Sequence, residues 1–267
     1  MNEITSTPIH ITRWGTEGPV VILIQGGAQG SRIGGDMVFV EQKKLASRGW
    51  QIVVPDRPGH GQSPPPGRPD DAVLDAQWVA ELIGDGAHLV GHSFGGAVAL
   101  CAAGLRPEAV RSLTMIEPAI LSLAISDPAV QDFIRRQVEL FSSGKPPREL
   151  MEGFSRMVGV PEAFWRDLRD SDEATRVGQA LFEIRIPPDE KLRECAATVA
   201  AAKIPTLIVT GGWSPAFEAT AGAAVPLMHG KHQVIRSPHH FPHLVSGEFN
   251  DSLNDFMNNA ELARVKQ

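Results

Sequence analysis

Gly91-His92-Ser93-Phe94-Gly95-Gly96 decides how this chain is read. An apolar run, Ala87-His88-Leu89-Val90, precedes it, and a small-residue run, Ala97-Val98-Ala99-Leu100-Cys101-Ala102-Ala103, follows. The order is strand, sharp turn, helix, with a serine at the apex. Glycine on either side is what so tight a turn demands, because side chains there would collide with the strand or the helix. A serine held this way presents its hydroxyl to a cleft. The next backbone N–H sits at a helix N-terminus, where developing negative charge is favoured. G-x-S-x-G by itself is compatible with an ordinary Gly/Ser turn; the flanking strand and helix favour a nucleophile.

Working outward, Val20-Val21-Ile22-Leu23-Ile24 is a continuous β-branched run, as expected of a strand covered on both faces, and ends in Gln25-Gly26-Gly27-Ala28. Trp50 to Pro55 repeats the pattern and ends in Asp56-Arg57-Pro58-Gly59-His60-Gly61-Gln62-Ser63. Asp70 to Gly84 has helical spacing with Asp70 or Asp71 as N-cap, and Val110 to Ile116 is a further strand. Strands recur at 204–210 and 232–235, and a final helix is predicted from about Phe241 to Asn259. Alternating strands and helices predict an α/β fold with a mostly parallel, doubly wound sheet. Between Pro118 and Lys203 proline-broken amphipathic helices replace the strands. The predicted division is a core of residues 1–118 and 204–267 and a helical cap insert of 119–203.

The 267 residues, 42% hydrophobic, suffice for a large core. Net charge is −6, with no basic patch that would suit nucleic acid. No apolar run approaches the ~20 residues needed to span a bilayer, and Met1 to Pro8 lacks a signal-peptide pattern. Cys101 and Cys195 are too few for a disulfide framework. A cytoplasmic protein is expected, without a nucleic-acid or membrane partner; a homodimer is left open.

Together these stretches resemble the α/β-hydrolase superfamily. Gln25-Gly26-Gly27 stands where such enzymes carry a His-Gly turn. Asp56 to Ser63 is similar to their D-x-x-G-x-G-x-S loop, and Gly91 to Gly95 to their nucleophile elbow. Ile204-Pro205-Thr206-Leu207 looks like their strand entry after the cap. His240-Phe241-Pro242-His243-Leu244 resembles the segment bearing their catalytic histidine, with His239 in place of its usual glycine. The resemblance implies Ser93 as nucleophile and His240 as base, with His239 one residue away as competitor. His92 and His243 are expected to be structural. The oxyanion hole would comprise the N–H groups of Gly27 and Phe94, Asp56 would organise its loop, and no metal or organic cofactor is implied.

The third catalytic member departs from the family. Where many members place an aspartate, this chain reads Gly211-Gly212-Trp213-Ser214-Pro215, and Ser214 cannot balance an imidazolium. Glu218 should lie on the next helix. Glu117, at the end of the strand beside the elbow strand, emerges at the same sheet edge and is the expected acid. Several branches of the superfamily, including some lactonases and haloalkane dehalogenases, carry the acid after this strand, and zearalenone lactone hydrolase resembles this chain in using glutamate there. Against the catalytic role stands a simple cap or an arginine partner for Glu117.

A serine nucleophile and the absence of tyrosine exclude the aspartate-driven epoxide hydrolases and dehalogenases of this fold. The expected activity is hydrolysis of a small or medium apolar carboxylic ester or lactone, with Phe133, Phe154, Trp165 and Trp213 as expected substrate contacts. Diketone C–C hydrolysis, thioester hydrolysis, cofactor-independent oxygenation and a non-catalytic small-molecule receptor remain open.

Overall fold

A computed structural model describes residues 8–265; the N-terminal stretch examined for a leader lies, apart from Pro8, outside the described residues. In chain order the elements are β1 (Ile11–Trp14), β2 (Val20–Ile24), α1 (Gly35–Val38), a 3₁₀ segment (Val40–Arg48), β3 (Gln51–Pro55), α2 (Ala72–Leu82), β4 (Ala87–His92), α3 (Phe94–Leu105) and β5 (Val110–Ile116). Then come α4 (Pro128–Phe141), α5 (Pro147–Met157), α6 (Asp172–Glu183), α7 (Asp189–Ala201), β6 (Thr206–Thr210), α8 (Pro215–Leu227), β7 (Lys231–Val234), α9 (Pro242–Val245) and α10 (Glu248–Val265). The sheet has seven strands in the order β1-β3-β2-β4-β5-β6-β7. Every pairing is parallel except that of β1 with β3.

The continuous apolar runs follow from this layering. Side chains alternate across a strand, and here both faces are dry. Ile22 and Ile24 enter one core with Leu89, Leu113, Met115 and Ile208, while Val21 and Leu23 enter another with Val54, Val90, Ile116 and Val209. The first core is closed by α2, α3 and α7, the second by the 3₁₀ segment and α10. Helix α3 is buried from Phe94 to Ala103, which explains why it is made of small and aliphatic residues with no polar face. Asp71 caps α2, its carboxylate accepting from the N–H groups of Val73 and Leu74.

The structure departs from the sequence reading at three places. Strand β1 was not anticipated: it is a short edge strand, half-buried, with little apolar signal. The C-terminal helix is two helices, because Ser246 is extended at φ −153°, ψ 167° and breaks the run between α9 and α10. Helix α7, assigned by sequence to the insert, puts Leu192, Cys195, Ala196 and Val199 into the same core as α3. Among the described residues no helix is long and apolar enough to cross a membrane.

If α7 is part of the sheet's core, Leu192→Ala should cost about 2–5 kcal/mol. Chemical denaturation measures this, and a loss below about 1 kcal/mol, typical of surface changes, would return α7 to the insert.

Candidate active site

The elbow is strained where the sequence says it should be. Ser93 has φ 56°, ψ −121°, between β4 and the first turn of α3. A non-glycine residue at positive φ is costly and persists only where its surroundings fix it. They do so tightly. A Cβ on Gly91 would lie 2.2 Å from the Gly95 carbonyl oxygen, one on Gly95 2.1 Å from that of Ile24, and one on Gly96 2.7 Å from Cβ of Pro118. The Ser93 N–H donates to Ile116 O (2.9 Å), and Ser93 O accepts from Ala119 N (3.0 Å). The serine turn and the exit of β5 are therefore stitched together.

That stitching locates Glu117. Its own N–H donates to Val209 O (2.9 Å) on β6, with φ at 41°. Its side chain, fully buried, turns along the strand ends. Oε2 lies 2.6 Å from Nδ1 of His240. Oε1 accepts from Gly211 N and from Nε1 of Trp213, both at 2.8 Å, and the indole also reaches Oε2 at 2.9 Å. Burial raises the cost of a bare carboxylate, and three donors offset it. Ser214, at the family's usual acid position, instead precedes α8 as its N-cap. Glu218 holds Gly212 N (2.9 Å) and stands 3.6 Å from His232 Nε2. His239 bonds its own turn through Ser237 and the N–H of Phe241.

His240 is fixed from all sides. Its backbone N–H donates to Gly159 O (3.1 Å), its carbonyl accepts from His92 Nε2 (2.8 Å), and Phe217 lies against the imidazole at 4.8 Å between centroids. With Nδ1 engaged by the carboxylate, that nitrogen carries the proton and Nε2 keeps a lone pair. His240 and Ser93 line one cavity of about 170 Å³. Gly26 and Gly27 form its wall beside the serine: a Cβ on Gly26 would lie 2.7 Å from Cβ of Ser93, and Gly27 has φ +89°. Phe94 opens α3, where the first N–H groups lack intrahelical partners. Asp56 does organise its loop, accepting from Gly35 N and Gln62 N.

The cavity is largely apolar. Phe154 and Trp165 line it with Met151, Val160 and Leu181, all from the helical segment after β5. Phe133 and Trp213 do not: Phe133 packs on Phe217 (5.8 Å between centroids), and the indole N–H of Trp213 is spent on Glu117. Sequence reasoning missed that second role. Its signal was present, since a tryptophan beside the vacated acid position supplies a donor and no charge. Among the described residues one carboxylate lies on the cavity wall, Glu173, buried and paired with Arg32. Among the described residues no cluster of three His, Cys, Asp or Glu side chains is placed to hold a metal ion.

The α/β-hydrolase fold family model matches residues 19–151, and the chain belongs to the α/β-hydrolase superfamily. It is 32% identical over 183 residues to the dihydrolipoyllysine-residue acetyltransferase component of the acetoin cleaving system of Pseudomonas putida, a match covering 58% of this chain and 46% of that protein. It is 36% identical over 118 residues to lipase LipV of Mycobacterium tuberculosis, covering 42% of each. The matches thus span less than half the length of these curated relatives. A haloalkane dehalogenase loop variant from Bradyrhizobium elkanii superposes with a TM-score of 0.71 at 18% identity, over 97% of this chain and 95% of that one, a likeness of fold.

Two predictions follow from this geometry. Glu117→Gln should lower turnover by orders of magnitude and Glu218→Gln should leave it near normal; steady-state kinetics in which both fall equally would relocate the acid. The second concerns acid. Burial, with Arg57 and Arg111 next in effect, holds His60 and His88 down at about 3; burial does the same for His243, and keeps His92 well below its ordinary value of 6.5. The unfolded chain takes up these protons near 6.5, so their contribution is complete above that pH and is lost as pH falls toward 3. Thermal midpoints should drop steadily from pH 6.5 to 4, with proton uptake on unfolding; a flat profile would refute it.

Proposed function

We propose that this chain is a cofactor-independent serine hydrolase of small or medium apolar carboxylic esters or lactones. The observation that carries this is the bond from Glu117 Oε2 to His240 Nδ1, with the imidazole and Ser93 on one cavity wall. A serine hydroxyl needs a base, and the free Nε2 of His240 supplies it. Ser93 Oγ attacks the acyl carbonyl while His240 takes its proton, and the buried glutamate balances the imidazolium that results. The N–H groups of Gly27 and Phe94 receive the oxyanion; loss of one such donor typically costs on the order of a hundredfold. His240 then returns the proton to the leaving alcohol, and water attacks the acyl-enzyme with the same base assisting.

The apolar wall contributed by Met151, Phe154, Trp165 and Leu181 supports an apolar acyl or alkyl group, and the helices from α4 to α6 serve as the cap that shapes it. With Arg32 neutralising Glu173, the cavity offers no free charge to a charged substrate from that side. A binding-only receptor would not require a base-and-carboxylate pair of this geometry.

A fluorophosphonate probe should label the protein at Ser93, with labelling abolished in Ser93→Ala and His240→Ala. Short to medium nitrophenyl esters and simple lactones should be hydrolysed by the unaltered chain and not by Ser93→Ala. Tight ligand binding without labelling or turnover across such a panel would establish the receptor instead.

A further inference from the structure

The loop after β3 carries the largest wholly enclosed side chain of the protein, Arg57. A guanidinium removed from water must spend its donors on partners. Two buried carboxylates account for its charge: Asp70 pairs with Nη2, and Asp75 lies 3.1 Å from Nε. They do not account for its direction. Nη1 donates to the carbonyl oxygens of Gly26 (3.3 Å) and Gly27 (3.2 Å), and the guanidinium carbon sits 4.3 Å from the centroid of the Phe94 ring. One enclosed cation therefore touches both residues whose amides are assigned to the oxyanion.

Peptide planarity turns this contact into a functional statement. In a trans peptide the C=O and the N–H point opposite ways. Anchoring Gly26 O on Arg57 turns the N–H of Gly27, at the other end of the same peptide, away from the cation. Anchoring Gly27 O does the same to the N–H of Ala28. Successive carbonyls face one donor here because Gly27 adopts φ +89°, a conformation side chains disfavour. Gly26, Gly27, Ala28 and Ser93 all line the cavity. A charged donor on the carbonyl also polarises the amide and makes its N–H a stronger donor.

We propose that Arg57 is a positioning residue for the transition state: it fixes and polarises the Gly26-Gly27-Ala28 peptides so that the N–H groups of Gly27 and Ala28 face the oxyanion, and it braces Phe94. The proposal rests on the serine-hydrolase reading. It adds Ala28 as a third donor and a salt-bridged cation behind the hole.

The test uses the phosphonylation rate of Ser93 by a fluorophosphonate, which needs no knowledge of the natural substrate. Arg57→Lys keeps a cation without the fork; Arg57→Met combined with Asp70→Asn and Asp75→Asn removes the three enclosed charges, leaving Arg68, the other partner of Asp75, partly exposed to water. The rate per finally labelled molecule should fall about ten- to a hundredfold in the triple variant and by an intermediate factor in Arg57→Lys. The final labelled fraction, and the KM for any ester turned over, should stay within about twofold. A purely structural role would lower the labelled fraction at an unchanged rate. That result in either variant overturns the proposal, as does an unchanged rate throughout. Failure of the unaltered chain to label above a Ser93→Ala background would strike the hydrolase reading first and this proposal with it.

Discussion

Everything near the cavity is arranged around one buried negative charge. The carboxylate of Glu117 has no access to water, and an ion in that position survives only if nearly all its acceptor capacity is met. Gly211 N–H, the Trp213 indole and the His240 imidazole meet it. Each donor has a structural consequence. Gly211 ties the carboxylate to the end of β6, Trp213 places an indole where the family usually has its acid, and His240 is held with Nδ1 inward. The carboxylate favours the tautomer with the proton on Nδ1. An apolar residue at position 117 would leave those three donors without an acceptor.

The position of the acid depends on sheet order. Strand β5 lies between β4 and β6, so a side chain leaving its end has the serine turn on one side and the β6 loop on the other. The Ser93 N–H to Ile116 O bond and the Glu117 N–H to Val209 O bond lock both neighbours at this edge. The helical segment is bound into the same unit. Gly159 accepts from the His240 backbone, and a Cβ there would press on the Trp213 ring at 2.8 Å. The helical segment and the imidazole are thus held by shared contacts.

Much of this was legible in the sequence, for identifiable reasons. The buried strands announce themselves because both faces are dry, so their apolar runs are unbroken. The elbow glycines could be read because a backbone atom stands where each Cβ would go. Glu117 could be singled out because Ser214 vacated a position that needs a charge. The failures are equally physical. Strand β1 pairs at an edge and needs no apolar pattern. Helix α7 looks like its amphipathic neighbours, and only tertiary packing against α3 reveals which core it serves. Phe133 and Trp213 were grouped with cavity aromatics by composition, yet composition does not say which way a ring faces. Arg57 gave no signal, since a lone arginine in a glycine-rich loop reads as solvated until Asp70 and Asp75 are seen around it.

Buried polarity in this protein therefore falls into two kinds. His88, His92 and His243 are enclosed rings held below their ordinary pKa by burial, bonded to Ser112 Oγ, the His240 carbonyl and the Val38 carbonyl. Glu117 and Arg57 are buried ionisable side chains enclosed by partners: Gly211, Trp213 and His240 around the first, Asp70, Asp75 and two glycine carbonyls around the second. On the serine-hydrolase proposal, the carboxylate lies behind the imidazole that takes the serine's proton, and the salt-bridged guanidinium lies behind the glycine turn that receives the oxyanion. Preorganisation of this kind costs stability in the resting protein, through strained φ angles at Ser93 and Glu117 and through the desolvation of two ions. The largely apolar faces of the central strands, packed above and below, help offset that cost.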